Sequence, residues 1–204
     1  MAASVQFLEH HLAENEGRID RTMAEIVQGL RAEIGRLHAL LDEFRCLSGP
    51  VLLDLQPVAL PRIIDDLLAL QAWSYADCGV HVVRDFPSNL PPAMADSQKL
   101  KQALLNLCKN AAEAMPKGGT LSFRGYRQGD HVCLDVADTG EGVQKGTLMF
   151  EPFNTTKPFG TGIGLAVARR IITAHGGTIS YASERGHGTV FCVSLPVGSH
   201  SEPV

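Results

Sequence analysis

The chain has no long apolar run, no block of basic residues and no pair of cysteines at C-x-x-C spacing, and each absence removes a class of protein. No stretch is apolar for long enough to span a bilayer. The first thirty residues carry Glu9, Glu14, Glu16, Arg18, Asp20, Arg21 and Glu25, which leaves no room for the apolar core of a signal peptide. A soluble, cytoplasmic chain without a membrane segment is therefore expected. Lys and Arg number 18 against 22 Asp and Glu, for a formal net charge of −4, and no local basic cluster offsets that balance. Nucleic acid needs a basic footprint, so no nucleic-acid partner is expected. The five cysteines (Cys46, Cys78, Cys108, Cys133 and Cys192) follow no metal or redox spacing. Three of them lie in the apolar runs NLCKN, HVCLDV and VFCVSL, where a reduced thiol packs like a small hydrophobe. His38, His81, His131, His175, His187 and His200 show no metal spacing either and read as surface or structural residues, with His175 at a helix end before Gly176 and Gly177.

What is present is enough for a real core: 204 residues, 45% of them hydrophobic. From Ile19 the apolar positions Met23, Ile26, Leu30, Ile34, Leu37, Leu41 and Phe44 follow mostly in steps of three and four, a helix with a heptad-like seam that ends at Gly49 and Pro50. SVQFLEHHLAE reads as the tail of an earlier helix closed at Gly17. Together they form an antiparallel hairpin over 1–49. Such a hairpin cannot cover its own seam, so a homodimer through a four-helix bundle is expected, with packing on the chain's own globular domain as the alternative.

After Pro50 the pattern changes. VLLDLQPV reads as a strand, LPRIIDDLLALQAWSYADCG as a helix entered at Pro61 and closed by Gly79, and VHVVRDF as a second strand. SNLPPAMAD reads as a turn-rich connection, and SQKLKQALLNLCKNAAEAM as a helix with Ser97 as N-cap. GTLSFRGYR and HVCLDVAD make an antiparallel pair across QGD, GTGIGLAVARRIITAHGG holds the last helix, and TISYAS and GTVFCVSLP close the fold. Strands and helices mix without regular alternation, which predicts an α+β two-layer sandwich over 50–197, followed by a polar tail over 198–204.

On the helix from Leu100 to Met115, the residues Leu100, Leu104, Leu107 and Ala111 make an apolar stripe, with Asn106, Asn110 and Glu113 at i, i+4 and i+7 along its edge. Asparagine is a mediocre helix former. Two of them one turn apart are either a hydrogen-bonded polar edge or carbonyl oxygens offered to a hard cation such as Mg²⁺. Asp138 ends an apolar strand, where a carboxylate is costly unless a donor meets it. An adenine amine is such a donor, and Gly140 and Gly142 would let backbone approach the base without a Cβ; a tight turn explains DTGEG equally well. The stretch PFGTGIGLAVARRI has the wrong spacing for a dinucleotide fingerprint and, with Leu165 and Ala166 after its last glycine, lacks the Lys-Ser or Lys-Thr of a P-loop. What remains is a glycine-bearing segment that hands a phosphate to the N-terminus of a helix beginning near Gly162.

NLCKNAAEA, DTGEGV, FEPFNTTK and GTGIGLA, in this order and followed by GTVFCVSLP, resemble the N, G1, F and G2 boxes of the sensor histidine kinase ATP-binding domain, within the wider family of gyrase B and Hsp90. The resemblance runs roughly from Leu60 to Pro196, and the heptad helix resembles the second helix of the dimerisation and histidine-phosphotransfer domain. It implies a Bergerat-type ATP-binding sandwich, with ATP and Mg²⁺ bound and a response-regulator receiver domain as partner. Position by position, it implies that Asn110 ligates Mg²⁺ on the ATP phosphates, with Asn106 beside it, and that Asp138 reads the adenine amine. Gly140 and Gly142 would line the base pocket, and Thr189 would help to close it. Gly160, Gly162 and Gly164 would form the end of an ATP lid anchored on the core by Phe150 and Phe153, and Lys157 would contact phosphate.

The resemblance also sorts the chemistry. Where ATP-hydrolysing relatives and the anti-sigma serine kinases carry a glutamate general base, this chain has Asn106. Without that carboxylate nothing local deprotonates a water or a serine, which favours transfer of the γ-phosphate to a histidine nitrogen, already a nucleophile. A nucleotide-sensing module without transfer is the second reading, and a serine kinase or ATPase the third. Glu113, together with TTK, is similar to the nitrogen-regulation-kinase-like subgroup. The family's acceptor motif, His-Glu-x-x-Asn-Pro, does not occur: His10 and His11 are followed by Leu12, Ala13 and Glu14 and lie too close to EIGRLHALLDEF for the usual hairpin. No phosphoacceptor is assigned, and the chain is expected to bind ATP without a histidine to phosphorylate in cis.

Overall fold

The computed structural model describes residues 26–31, 33–35, 49–77, 79–144, 146–155 and 160–198. The chain divides into two compact units, Met1–Arg45 and Cys46–Val204. In the first, residues 26–31 and 33–35 are helical, and Ile26 and Leu30, one turn apart, are both exposed. The remainder of the hairpin reading, His10, His11 and His38 included, lies outside the described residues.

The second unit is an α+β two-layer sandwich. Its elements are β1 (Gln56–Val58), α1 (Leu60–Asp77), β2 (Val80–Asp85), β3 (Ala93–Ala95), α2 (Ser97–Ala114), β4 (Gly119–Gln128), β5 (His131–Asp138), α3 (Gly164–Ala174), β6 (Thr178–Glu184) and β7 (Gly188–Pro196). Five strands form one sheet in the order β2-β4-β5-β7-β6, with β2 parallel to β4 and every other pair antiparallel. β1 and β3 make a small antiparallel pair of their own. The period-2 pattern explains which face is covered. Leu121 and Phe123 of β4, Val132, Leu134 and Val136 of β5, and Phe191, Val193 and Leu195 of β7 are buried in one core with Leu100, Leu104 and Leu107 of α2 and Val167, Ile171 and Ile172 of α3. Among the described residues no helix is long and apolar enough to cross a membrane.

Local chemistry moves several expected boundaries. The first strand is only Gln56–Val58, because its single partner, β3, is three residues long; β3 itself lies inside the segment read as a mere connection. The N-cap of α2 is Asp96 rather than Ser97: its carboxylate accepts the N–H groups of Gln98 and Lys99, each at 3.0 Å, from an extended backbone conformation. Desolvation pushes the Asp96 pKa up, but hydrogen bonds from the Lys99, Asp54 and Gln98 amides outweigh it and hold the carboxyl below its usual value. α3 starts at Gly164, not near Gly162, since Gly162 has φ +65° and cannot be helical. Gly198, assigned from the sequence to the tail, donates its N–H to the Pro92 carbonyl at 2.8 Å. Cys108 and Cys133 are buried and Cys192 half-buried, and none of the three forms a disulfide; burial, ahead of a nearby Asp135, pushes the Cys192 thiol up. Cys46 and Cys78 lie outside the described residues.

Candidate functional site

The adjoining ends of β5, β7 and β6 bring three polar side chains together. Asp138 stands opposite Thr189 in the β5–β7 ladder, and Thr189 stands opposite Ser183 in the β6–β7 ladder. Asp138 and Thr189 are 4% and 2% exposed, so both require polar partners. Asp138 Oδ1 accepts the Gly140 N–H at 2.8 Å, which is the turn expected from DTGEG. Thr189 Oγ1 lies 2.9 Å from Ser183 Oγ. Ser183 donates its single proton to the Gly188 carbonyl at 2.9 Å, so the proton between the two hydroxyls belongs to Thr189. Ser183 Oγ also accepts the Val143 N–H at 2.9 Å and so ties the loop after Asp138 to β6. Sequence reasoning missed Ser183 because one serine in a strand carries no signal; only the register sets it beside Thr189.

The glycines around Asp138 are also required by the chain's own backbone. A Cβ on Gly140 would sit 2.5 Å from the Ala114 carbonyl oxygen, and one on Gly142, at φ +61°, would sit 2.1 Å from the Glu184 carbonyl oxygen. Protein backbone thus occupies the position of the missing Cβ at both glycines. The loop is stitched on both sides, by Glu141 N–H to Ala114 O at 3.0 Å and by Gly186 N–H to Glu141 O at 2.7 Å. Gly188 is tighter still: its φ is +88°, and a Cβ would lie 1.9 Å from the Asp138 carbonyl oxygen.

α2 links this end to the other expected features. Its last turn meets the Asp138 loop through Ala114, and eight residues earlier, about 12 Å along the axis at 1.5 Å per residue, Asn106 meets α3. Asn106 Nδ2 donates to the Gly164 carbonyl at 2.9 Å. Asn106 is thus bonded to the first residue of α3, the polar-edge reading of this residue. Asn110 follows one turn later, half-buried, and Glu113 is exposed. The N-cap of α3, Ile163, offers no side-chain cap. Thr161 Oγ1 takes the Ile163 N–H at 3.2 Å, and the positive end of the helix dipole lies just beyond.

The segment between the two regions is fixed mainly by Phe150. Its ring packs edge-on against Tyr181 and Phe191, at centroid distances of 5.7 and 6.1 Å, and the Arg169 guanidinium lies over it at 5.8 Å. The Tyr181 hydroxyl donates to the Thr147 carbonyl. Phe153 corrects the expectation of a second core anchor: its side chain is 66% exposed. It acts through its backbone, which adopts φ +65° and donates to the Gly162 carbonyl at 3.1 Å. A Cβ on Gly162 would strike that same backbone at 2.7 Å. Gly160 is exposed, and Lys157 lies outside the described residues.

A mixed sheet covered by helices on one face, with its polar strand ends facing the loop between β5 and α3, is the Bergerat type of ATP-binding sandwich. Residues 95–199 match the family described as histidine kinase-, DNA gyrase B-, and HSP90-like ATPase, and the chain belongs to that family. Sporulation kinase E of Bacillus subtilis is 33% identical over 191 residues, covering 92% of this chain and 26% of its own length. The sensor histidine kinase ZraS of Escherichia coli K12 is 36% identical over 175 residues, covering 85% of this chain and 38% of its own. The chain thus spans between a quarter and two fifths of these curated relatives. Two solved structures share the fold. Full-length ShkA in complex with AMPPNP has a TM-score of 0.80 at 24% identity, covering 99% of this chain and 47% of that one. Histidine kinase ThkA in complex with the response regulator TrrA has a TM-score of 0.73 at 22% identity, covering 97% and 60%.

Proposed function

We propose that this chain is the ATP-binding catalytic portion of a two-component sensor histidine kinase. The observation that carries the reading is the buried carboxylate of Asp138 at the end of a core strand, with Thr189 opposite it and α2 and α3 alongside. Its support outside the chain is the family match and the kinases just named, one of which holds an ATP analogue and another a response regulator. Asp138 accepts the adenine amine, Thr189 closes the site beside it, and the loop of Gly140 and Gly142 forms its wall. The γ-phosphate lies toward α3, whose first turn has no side-chain cap and favours an anion, with Gly160 and Gly162 leading to its first residue, Gly164, and Lys157 as a candidate phosphate contact.

The chemistry of the donors fits a magnesium nucleotide. Among the described residues no cluster of three His, Cys, Asp or Glu could hold a metal unaided. A Mg²⁺ here would be held by the carbonyl oxygen of Asn110 together with oxygens that the nucleotide brings, the donor type that this ion prefers. Bound there, the ion would neutralise charge developing on the phosphates. The protein's part is to bind, orient and exclude water. No carboxylate stands at position 106 to activate water, so the phosphoryl group goes to a histidine nitrogen: the bond to ADP breaks as the N–P bond forms, and the aspartate of a receiver domain takes the group next. On this reading 1–49 would be the dimerising portion and 50–197 the catalytic domain, and Glu113 with TTK would mark a nitrogen-regulation-like subgroup.

The test has two parts. Asp138→Asn turns an acceptor into a donor facing the adenine amine, an unmatched buried group costing roughly 1–3 kcal/mol or more, and ATP affinity should be lost. Preserved affinity would remove the adenine assignment. Incubation with γ-labelled Mg·ATP and a separate fragment bearing an acceptor histidine should yield protein-bound label that is lost in acid and kept in alkali. Binding without such label would leave a nucleotide-sensing module.

A further inference from the structure

α2 and α3 run antiparallel, and polar side chains bonded to backbone join them at both ends of α3. At the C-terminal end His175, 3% exposed, accepts the Asp96 N–H on Nε2 at 3.0 Å and contacts the Ile171 carbonyl through Nδ1 at 2.7 Å. With Nε2 accepting, the ring proton sits on Nδ1 and is donated to that carbonyl. At the N-terminal end Asn106 Nδ2 donates to the Gly164 carbonyl at 2.9 Å. Between these clips the buried residues Leu100, Ala103 and Leu104 of α2 and Val167, Ala168 and Ile171 of α3 belong to one apolar core.

The two kinds of contact do different work. Apolar burial is non-directional and resists separation of the helices. A hydrogen bond weakens steeply once its geometry is lost, so sliding α3 along α2 by about 1.5 Å, one residue of helical rise, breaks both clips. Asn106 and Asn110 are four residues apart on the same helix, so a slide of α3 relative to Asn106 is a slide relative to Asn110.

We propose that Asn106 is a positioning residue for the nucleotide phosphates: by holding the first carbonyl of α3 it sets the first-turn amides of that helix in register with Asn110. The inference deepens the ATP-binding reading and rests on it. The contact is close on two counts. Besides the hydrogen bond, a Cβ at Gly164 would lie 3.5 Å from Asn106 Cγ and 3.7 Å from its Oδ1, so the whole amide rests against the opening turn of α3. Asn106 acts through α3 rather than as a ligand itself.

Two variants in the full chain test this: Asn106→Ala, and Asn106→Leu, which keeps the branched shape and lacks the donor. Each is titrated with adenosine, followed by NMR chemical shifts, and with Mg·AMPPNP, followed by calorimetry. The expected result is a loss of about tenfold in AMPPNP affinity for both variants, the scale of one hydrogen bond, with adenosine affinity unchanged. A purely structural role would lower both affinities by the same factor, and that result overturns the proposal. So does unchanged AMPPNP affinity in variants of a wild-type chain that binds both ligands. A wild-type chain that binds neither ligand overturns the ATP-binding reading, and this inference with it.

Discussion

The strand ends around Asp138 and the region between Phe150 and α3 serve one proposed ligand, yet they are built by opposite means. Around Asp138 the geometry is set mainly by backbone, through ladder register, stitched loops and glycines whose absent Cβ atoms are replaced by neighbouring carbonyls, with Ser183 as a side-chain tie between the Asp138 loop and β6. Near α3 it is set by single side chains reaching single backbone atoms, namely Asn106 to Gly164, Tyr181 to Thr147 and His175 to Asp96. A site that must recognise one rigid base gains from a frame that no rotamer change can loosen. A site for flexible phosphates can be tuned one hydrogen bond at a time.

The sharpest way to break the comparison is Gly188→Ala. Its Cβ would meet the Asp138 carbonyl oxygen at 1.9 Å from a backbone at φ +88°, so nothing short of moving β5 or β7 relieves it. A loss of more than about 4 kcal/mol of stability, or failure to fold, is expected by chemical denaturation. A variant with wild-type stability would show that the strand ends are not backbone-limited.

Gly162→Ala comes next. Left-handed φ costs a residue with a Cβ about 1–2 kcal/mol, and the clash with Phe153 backbone at 2.7 Å adds to it. Gly164→Ala in the same motif should do the reverse. Its φ is not left-handed, its nearest contact at 3.5 Å is ordinary, and in a helix alanine is favoured over glycine by about 1 kcal/mol. Thermal unfolding of the pair should therefore split in sign; equal losses would mean that Gly164 is also held against its neighbours.

Asp96 gives a smaller effect, with a sign fixed by pH. Its carboxyl is depressed in the folded chain, so it contributes stability that is fully present above its unfolded value, near 3.8, and is lost as pH falls through the folded value. Asp96→Ala should cost about 1 kcal/mol near neutrality, and its penalty should shrink below pH 4. A penalty that persists at low pH would show that the carboxylate's charge is not what caps α2.

Much of this was legible from residues alone because the signals were local. The period-2 pattern of HVCLDVAD and the stripe of Leu100, Leu104, Leu107 and Ala111 each report a face that must be covered, whatever covers it. Asp138 stood out as a carboxylate ending an apolar strand, and Gly162 as part of a glycine series. Phe153 was expected on the core only because the resemblance implied a lid anchor there; in the structure it is exposed, with its backbone at φ +65°. Asp96 lost to Ser97 in the reading because both residues are good caps, and only the backbone angles choose between them.

The sequence by itself determined the two-layer class, the order of the elements apart from β3, and the residues that cannot be buried without a partner, since these follow from periodicity and from the cost of desolvation. Tertiary structure alone decided who the partners are. Ser183 reaches Thr189 through strand register, His175 reaches Asp96 across 79 residues, and Asn106 reaches Gly164 across 58. Such contacts depend on where two distant segments are brought to rest, and a hydrogen bond leaves no mark on the local pattern of the residues that make it.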